Sequence, residues 1–427
     1  MSRPPAMPPP APVEVSPPFS IGVVVRGFWW LSMAEVIRAV GTAAIAVYLA
    51  RRLGATSFGY YGFALAVLAY FTAIVDGGLT SVGSRQVSQR PAQLRTTVST
   101  VLAIRGVLAI ASFVCLTIVV AMLGKPPLAK TVLLLSGATL FTSAVTLDWL
   151  FYGLQRPQLI SIATVVRVAL FGTLTLAFVR RPEQIWAVPL FQVLADLTAA
   201  AWLGWTYGNG IAGARPKADP AASPVRDLAH DAWPLAAGQL LRATSFSFGM
   251  TMVAFLLGDN ATGQYAAAQR LMQAALGFGS LYFVGYLPAL SRATIEGHVA
   301  VRRLLGDSLH LTAIFTVPLA VGGTVLARPI VVRLLGSDYA ASAAPLAILV
   351  WVLPVLTFGG HFRNTLIAAR RVRVDLAWVG CSAATNVVLT LLLTPRFELR
   401  GAAAAFLAAE MTLALGTYAA VRRRLAA

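Results

Sequence analysis

Apolar stretches of roughly 20 residues, enough helix to cross a ~30 Å hydrocarbon core, recur about twelve times along the chain. They run near 24–50, 58–81, 99–123, 128–150, 158–179, 184–207, 233–257, 263–289, 306–327, 340–360, 374–394 and 401–420. Short polar or Gly/Pro-containing connections separate them. The longest, GNGIAGARPKADPAASPVRDLAHD (208–231), parts six spans from six. This pattern predicts an all-α polytopic membrane protein with a Pro-rich tail (1–18), a six-helix lobe (19–207), a linker (208–231) and a second six-helix lobe (232–427). The connections between spans are too short to house a soluble domain.

The two halves repeat. Adding 204 to FWWLSMAEVIRAVG (28–41) gives AWPLAAGQLLRATS (232–245), which places Trp29 on Trp233, Leu31 on Leu235, Glu35 on Gln239 and Arg38 on Arg242 without a gap. The same offset lays GATSFGYYG (54–62) on GDNATGQYA (258–266), so that Gly54, Gly59 and Tyr61 meet Gly258, Gly263 and Tyr265. Six spans per half is an even number. The halves therefore share one orientation and are related by a pseudo-twofold axis along the membrane normal, as in parallel-repeat transporters.

Composition agrees: 58% of the 427 residues are hydrophobic and 12% are charged, with a mean hydropathy of +0.74. A net charge of +18 raises nucleic acid as a partner, but the cations punctuate apolar runs instead of clustering on a soluble face, so no nucleic acid is expected. Nineteen of the 34 Lys and Arg fall on the N-terminal side of the spans and ten on the other. That bias puts both termini in the cytoplasm. The first eighteen residues hold eight prolines and no apolar core of a signal peptide, which predicts an irregular tail and an uncleaved first span.

Several chemistries find no support. Gly208, Gly210 and Gly213 spell GxGxxG but follow a membrane span and run into Arg215-Pro216, without the strand and helix of a dinucleotide site. No GxxxxGK[ST] or HExxH occurs, and His230, His298, His310 and His361 are scattered as loop or interface residues. Cys115 and Cys381 lie singly in apolar spans, where packing is their expected role. Asn260-Ala261-Thr262 is a formal glycosylation sequon, read here as turn chemistry. Neither a cofactor nor a metal is implied.

What remains is the set of ionisable residues inside spans: Glu35, Arg38, Asp76, Arg105, Asp148, Arg167, Asp196, Arg242, Arg270 and Glu410. Each costs roughly 2.5–3.5 kcal/mol on insertion scales unless it is paired or faces water. Asp76, before Gly77-Gly78, suits either a functional acid or a residue at interface depth. Arg105, Asp148, Arg167 and Asp196 are expected to neutralise one another structurally, and Glu410 to bond between helices. Glu35, Arg38 and Thr42 share one face of the first span. A self-satisfied Glu35–Arg38 pair has no copy at Gln239 and Arg242, and Arg270 shares a face with Gln273 and Gly277. Arg242 and Arg270 therefore predict an unbalanced cationic surface. Guanidinium forks suit phosphate and carboxylate, so Arg38, Arg242 and Arg270, with Gln239 and Gln273, are the candidate binders of an anionic headgroup.

The stretches 49–89, GQYAAAQRLMQA (263–274), 334–371 and GAAAAFLAAE (401–410) resemble the polysaccharide-biosynthesis flippases, the Wzx-like branch of the multidrug/oligosaccharidyl-lipid/polysaccharide exporter superfamily. The resemblance implies a V of two lobes with spans one, two, seven and eight lining a cavity for an undecaprenyl-pyrophosphate-linked oligosaccharide. It also implies alternating access coupled to a proton or sodium gradient, and nominates Glu35 and Asp76 as coupling acids. Membrane lipids and the polysaccharide polymerase and export machinery are its implied partners, the bacterial cytoplasmic membrane its location.

Other readings are weaker. A drug or organic-cation antiporter of the same superfamily needs acids, not arginines, facing its substrate. The GxxxDRxGRR-type loop of major-facilitator transporters is missing from Gly83 to Arg95. A polyprenyl-linked glycosyltransferase or ligase needs a large outer loop carrying carboxylates, so no enzyme is expected, and a mere scaffold has no use for buried charge.

Overall fold

The computed structural model describes residues 21–209 and 225–425. The Pro-rich tail expected over 1–18 lies outside them, as does most of the linker expected over 208–231; residues 225–231 belong to helix α9 (Val225–Leu256).

Described residues are helical almost throughout. Helix α1 (Ile21–Asp76) has 56 residues, about 84 Å if straight and far more than one crossing needs. Gly54, at φ 70° and ψ 169°, divides it into the first two crossings, and α2 (Leu79–Gln89) extends the second beyond Gly77-Gly78. Then come α3 (Leu94–Met122), a fourth crossing in three pieces, α4 (Pro127–Gly137), α5 (Thr139–Val145) and α6 (Asp148–Gly153), followed by α7 (Pro157–Phe178) and α8 (Ala187–Tyr207). Prolines open α4 and α7, where a missing N–H costs nothing.

The second set of six comprises α9, α10 (Gly258–Glu296), α11 (His298–Val325), the short α12 (Ala327–Leu335), a tenth crossing built from α13 (Ala343–Leu349) and α14 (Val352–Ala368), and α15 (Val372–Leu425). Glu398, at φ 51° and ψ −130°, splits α15 into the last two crossings.

The internal repeat is visible in the packing of α1 against α10. Gly54 and its repeat partner Gly258 both adopt positive φ, 70° and 84°, where a Cβ is strained. A Cβ on Gly59 would collide with the carbonyl oxygen of Asp259, and one on Gly263 with that of Ala55. These two contacts exchange under the 204-residue offset, which is what a twofold axis requires. Gly62 lies on the axis: a Cβ there would stand 2.6 Å from the Cβ of Ala266, its own repeat mate.

At this end the halves are also tied by polar contacts. Lys125 Nζ donates to Asp259 Oδ1 and to the Ala254 carbonyl, each at 2.6 Å. Arg51 donates to the carbonyls of Arg333 and, at 2.6 Å, Leu334, and Tyr339 Oη donates to the Ala50 carbonyl at 3.0 Å. One apolar core, including Phe58, Met250, Tyr265 and Phe406, runs across both halves here. At the arginine-rich end, Gly78 packs on Ala232 and Leu235 of α9, and Arg85 pairs with Asp231 at 2.8 Å.

Three local expectations are corrected. Residues 260–262 lie in the first turn of α10, with Thr262 Oγ1 donating to the Gly258 carbonyl at 2.7 Å; Gly258 alone makes the turn. Cys115 and Cys381 are exposed on the outer helix surface, not packed inside. His361, on α14, is fully buried against α10 and α11, where its ring contacts Tyr282, Phe283 and Tyr286 and its Nε2 bonds Ser308 Oγ at 2.8 Å.

Candidate functional site

The helices that meet at the axis, α1, α9 and α10, carry the residues singled out from sequence. On α1, Arg38 Nε donates to Glu35 Oε2 at 2.8 Å and a second guanidinium nitrogen holds Oε1. Their i,i+3 spacing makes the pair, and the Arg38 side chain remains 48% exposed. On α9, Arg242 Nη1 donates to Glu410 Oε1 at 2.9 Å, and its guanidinium stacks 4.7 Å from the centre of the Phe246 ring. Arg270 of α10 donates to Gln273 Oε1 at 3.2 Å and borders a small void with Ala43, Ala46 and Val47 of α1. Among the described residues it has no carboxylate partner. Gln239 is half-buried, with Oε1 lacking a hydrogen-bond partner.

This arrangement corrects the expectation of an unbalanced surface from both Arg242 and Arg270. Arg242 is balanced by Glu410, whose side chain is 1% exposed, because the twelfth crossing packs on the seventh. Glu410 does bond between helices, as expected, but as the acid of an ion pair. Glu35, nominated for coupling, is bound by Arg38 on its own helix. Arg270 remains as the cation of the seam.

A second constellation lies inside the first half. A cavity of about 470 Å³ is bounded by Asp76, Arg105, Asp148, Tyr152, Arg167 and Asp196, with a collar of threonines that includes Thr80 and Thr142. Two interrupted crossings build it. The second breaks at Gly77-Gly78, directly after Asp76, and the fourth at Thr146-Leu147, which leaves Asp148 in the first turn of α6, where the helix dipole favours an acid. Broken backbone at membrane depth is tolerated where it lines a cavity.

Arg105 bonds Asp76, and Thr80 Oγ1 at 2.6 Å. Arg167 lies between Asp148, at 3.5 Å, and Asp196, at 3.2 Å; Asp196 also accepts from Gln192 at 3.0 Å. Asp76 Oδ2 and Asp148 Oδ1 are buried without a partner. Three carboxylates thus face two guanidinium groups. The expected mutual neutralisation of Arg105, Asp148, Arg167 and Asp196 omitted Asp76, which lines the cavity and is the partner of Arg105.

No curated protein matches the sequence. Solved structures match over nearly the whole chain. An inward-facing multidrug-resistance MATE family transporter of the MOP superfamily superposes with a TM-score of 0.73 at 14% identity, covering 91% of this chain and 94% of that one. The lipid II flippase MurJ in an inward closed conformation gives 0.75 at 14% identity, over 92% and 87%. An outward-facing MATE transporter gives 0.65 at 15% identity, over 96% and 98%. These likenesses establish the fold. Residues 24–294 match the family described as polysaccharide biosynthesis protein, so this multi-pass membrane chain, folded like the MOP superfamily, belongs to the polysaccharide biosynthesis protein family.

Proposed function

We propose that the protein is a flippase, not an enzyme, and moves an undecaprenyl-pyrophosphate-linked oligosaccharide from the cytoplasmic to the outer leaflet of the bacterial cytoplasmic membrane. The two six-helix halves alternate access about their shared axis, and the product passes to the polysaccharide polymerase and export machinery. The arginine-rich end, with both termini, is cytoplasmic. The observation that carries this reading is Arg270: a guanidinium at the seam with no acid among the described residues is poised for an anionic headgroup. Membership of a polysaccharide biosynthesis family and the likeness to a structure named as a lipid II flippase support the cargo class. Arg38 on α1, Gln239 and Arg242 on α9 and Gln273 on α10 belong to the helices that meet at the same axis.

Arg270→Gln is the test. The variant should reach wild-type protein levels yet lose most surface polysaccharide and accumulate lipid-linked oligosaccharide on the inner leaflet. Wild-type export from it would remove the basis of this reading.

Coupling to a proton or sodium gradient is assigned to the cavity carboxylates, with Asp76 among them, because three acids against two guanidinium groups leave one negative charge for a cation to neutralise. The same surplus favours the second reading, a drug or organic-cation antiporter. Proteoliposomes separate the two: a flippase translocates labelled lipid-linked oligosaccharide, and an antiporter exports an organic cation.

A further inference from the structure

Two cavities lie end to end on the seam between α11, α14 and the last crossing of α15. One, of about 420 Å³ at the arginine-rich end, is lined by Thr294, His298, Thr365, Leu366, Arg370 and Val421, among others. The other, of about 460 Å³, is walled by Leu309, Phe358, Phe362, Met411, Leu415 and Tyr418. Leu366 of the first stands one helical turn from Phe362 of the second, and Val421 three residues from Tyr418. Leu305, Phe362, Leu366 and Val421 form a single cluster at their junction, and the Phe362 and Tyr418 rings meet at 5.2 Å. From Val421 to Met411 the helix rises about 15 Å, half of a ~30 Å hydrocarbon core. The seam is therefore long enough to span one leaflet, polar at its arginine-rich end and apolar at the other.

Its polar end is cationic. Arg370 borders the cavity from a left-handed backbone, φ 57°. Arg302, Arg371, Arg373, Arg422 and Arg423 are exposed on the same helix ends. Among the described residues none of these six arginines enters an ion pair. Of the nearby acids, Glu296 and Asp307 line neither cavity, and Asp375 is held by both guanidinium edges of Arg363, at 2.8 and 3.0 Å.

We infer that this seam binds an anionic diacyl phospholipid of the surrounding membrane, its phosphate against Arg370 and His298 and one acyl chain in the groove beneath. Phosphate is the partner a guanidinium fork holds best, and basic pockets between helices at the cytoplasmic surface select acidic headgroups. The groove below, lined by apolar and aromatic side chains with His310 and Tyr418 as its polar-tipped members, offers a largely hydrocarbon wall of matching depth. No lining residue belongs to α1 or α9, and α10 contributes only Thr294, in its last turn and about 36 Å of helix from Arg270, so the site is separate from the seam that holds Arg38, Arg242 and Arg270, and it stands whether or not the flippase reading does.

Native mass spectrometry of the purified full-length protein, titrated with phosphatidylglycerol or phosphatidylethanolamine of identical chains, tests the inference. Phosphatidylglycerol should bind more tightly. Arg370→Asn, which suits the left-handed backbone, should weaken that binding about fivefold, and Arg370→Lys should largely retain it. Ala313→Phe, which fills the groove from α11, should weaken it without touching the headgroup end. Unchanged thermal unfolding of each variant shows that the fold is intact. Equal affinity for the two lipids, or indifference to both Arg370→Asn and Ala313→Phe, would overturn the assignment. So would tighter binding of undecaprenyl phosphate at the same seam, which would make it a polyprenyl-lipid site instead.

Discussion

At the scale of single residues, the pair between Arg242 and Glu410 decides how the arginines can be tested. Glu410 is buried and Arg242 partly so, and removing the arginine strands the buried carboxylate at a cost of about 3–5 kcal/mol. Arg242→Ala should therefore lower the unfolding temperature of the detergent-solubilised protein sharply, and Arg242→Gln combined with Glu410→Gln should recover most of the loss. If the single variant were as stable as wild type, the pair would not be holding the seventh and twelfth crossings together. Loss of export in Arg242→Ala alone reports on folding as much as on substrate, whereas Arg270, bonded to the neutral Gln273, is free of that ambiguity. The arginines were legible in the sequence as costly residues in apolar spans, but their partners were not. Arg242 meets an acid 168 positions away, and a search within one helical turn reaches only pairs such as Glu35 and Arg38.

At the scale of elements, the spans themselves were legible because about 20 apolar residues in a row have one physical use. Their interruptions were not: Gly77-Gly78 marks the first break in the sequence, but nothing in Ala-Val-Thr-Leu-Asp (144–148) announces the second. Those breaks put Asp76, Thr80 and Asp148 around one cavity, and the charge count there yields a prediction. Arg105 is matched by Asp76, and Arg167 is shared by Asp148 and Asp196. Asp196→Asn removes the surplus charge and leaves each guanidinium one acid, so the protein should fold normally. In proteoliposomes its transport should lose most of its response to an imposed proton or sodium gradient. A variant that still follows the gradient as wild type does would clear the cavity of a coupling role.

For the whole molecule, the 204-residue offset read from sequence becomes a twofold packing of α1 on α10, and this shapes how the halves can move. A close backbone approach between them, at Gly59 and Gly263, lies at the end with fewer arginines, together with the ties from Lys125, Arg51 and Tyr339. That end faces outward in the proposed topology, so these contacts hold the outer side shut, and alternating access requires them to break. A charge-assisted hydrogen bond contributes about 1.5–3 kcal/mol. Lys125→Met with Tyr339→Phe should thus raise the outward-open population about tenfold or more. The readout is a cysteine at Ala43, which borders the seam beside Arg270, in a chain whose Cys115 and Cys381 have been replaced by serine. An impermeant thiol reagent added from outside should label it at least several times faster in the loosened variant, and cargo bound from the cytoplasmic side should slow it again. Equal labelling rates with and without the ties would mean that the outer contacts are not the barrier, and that the halves are held by the apolar core beneath them.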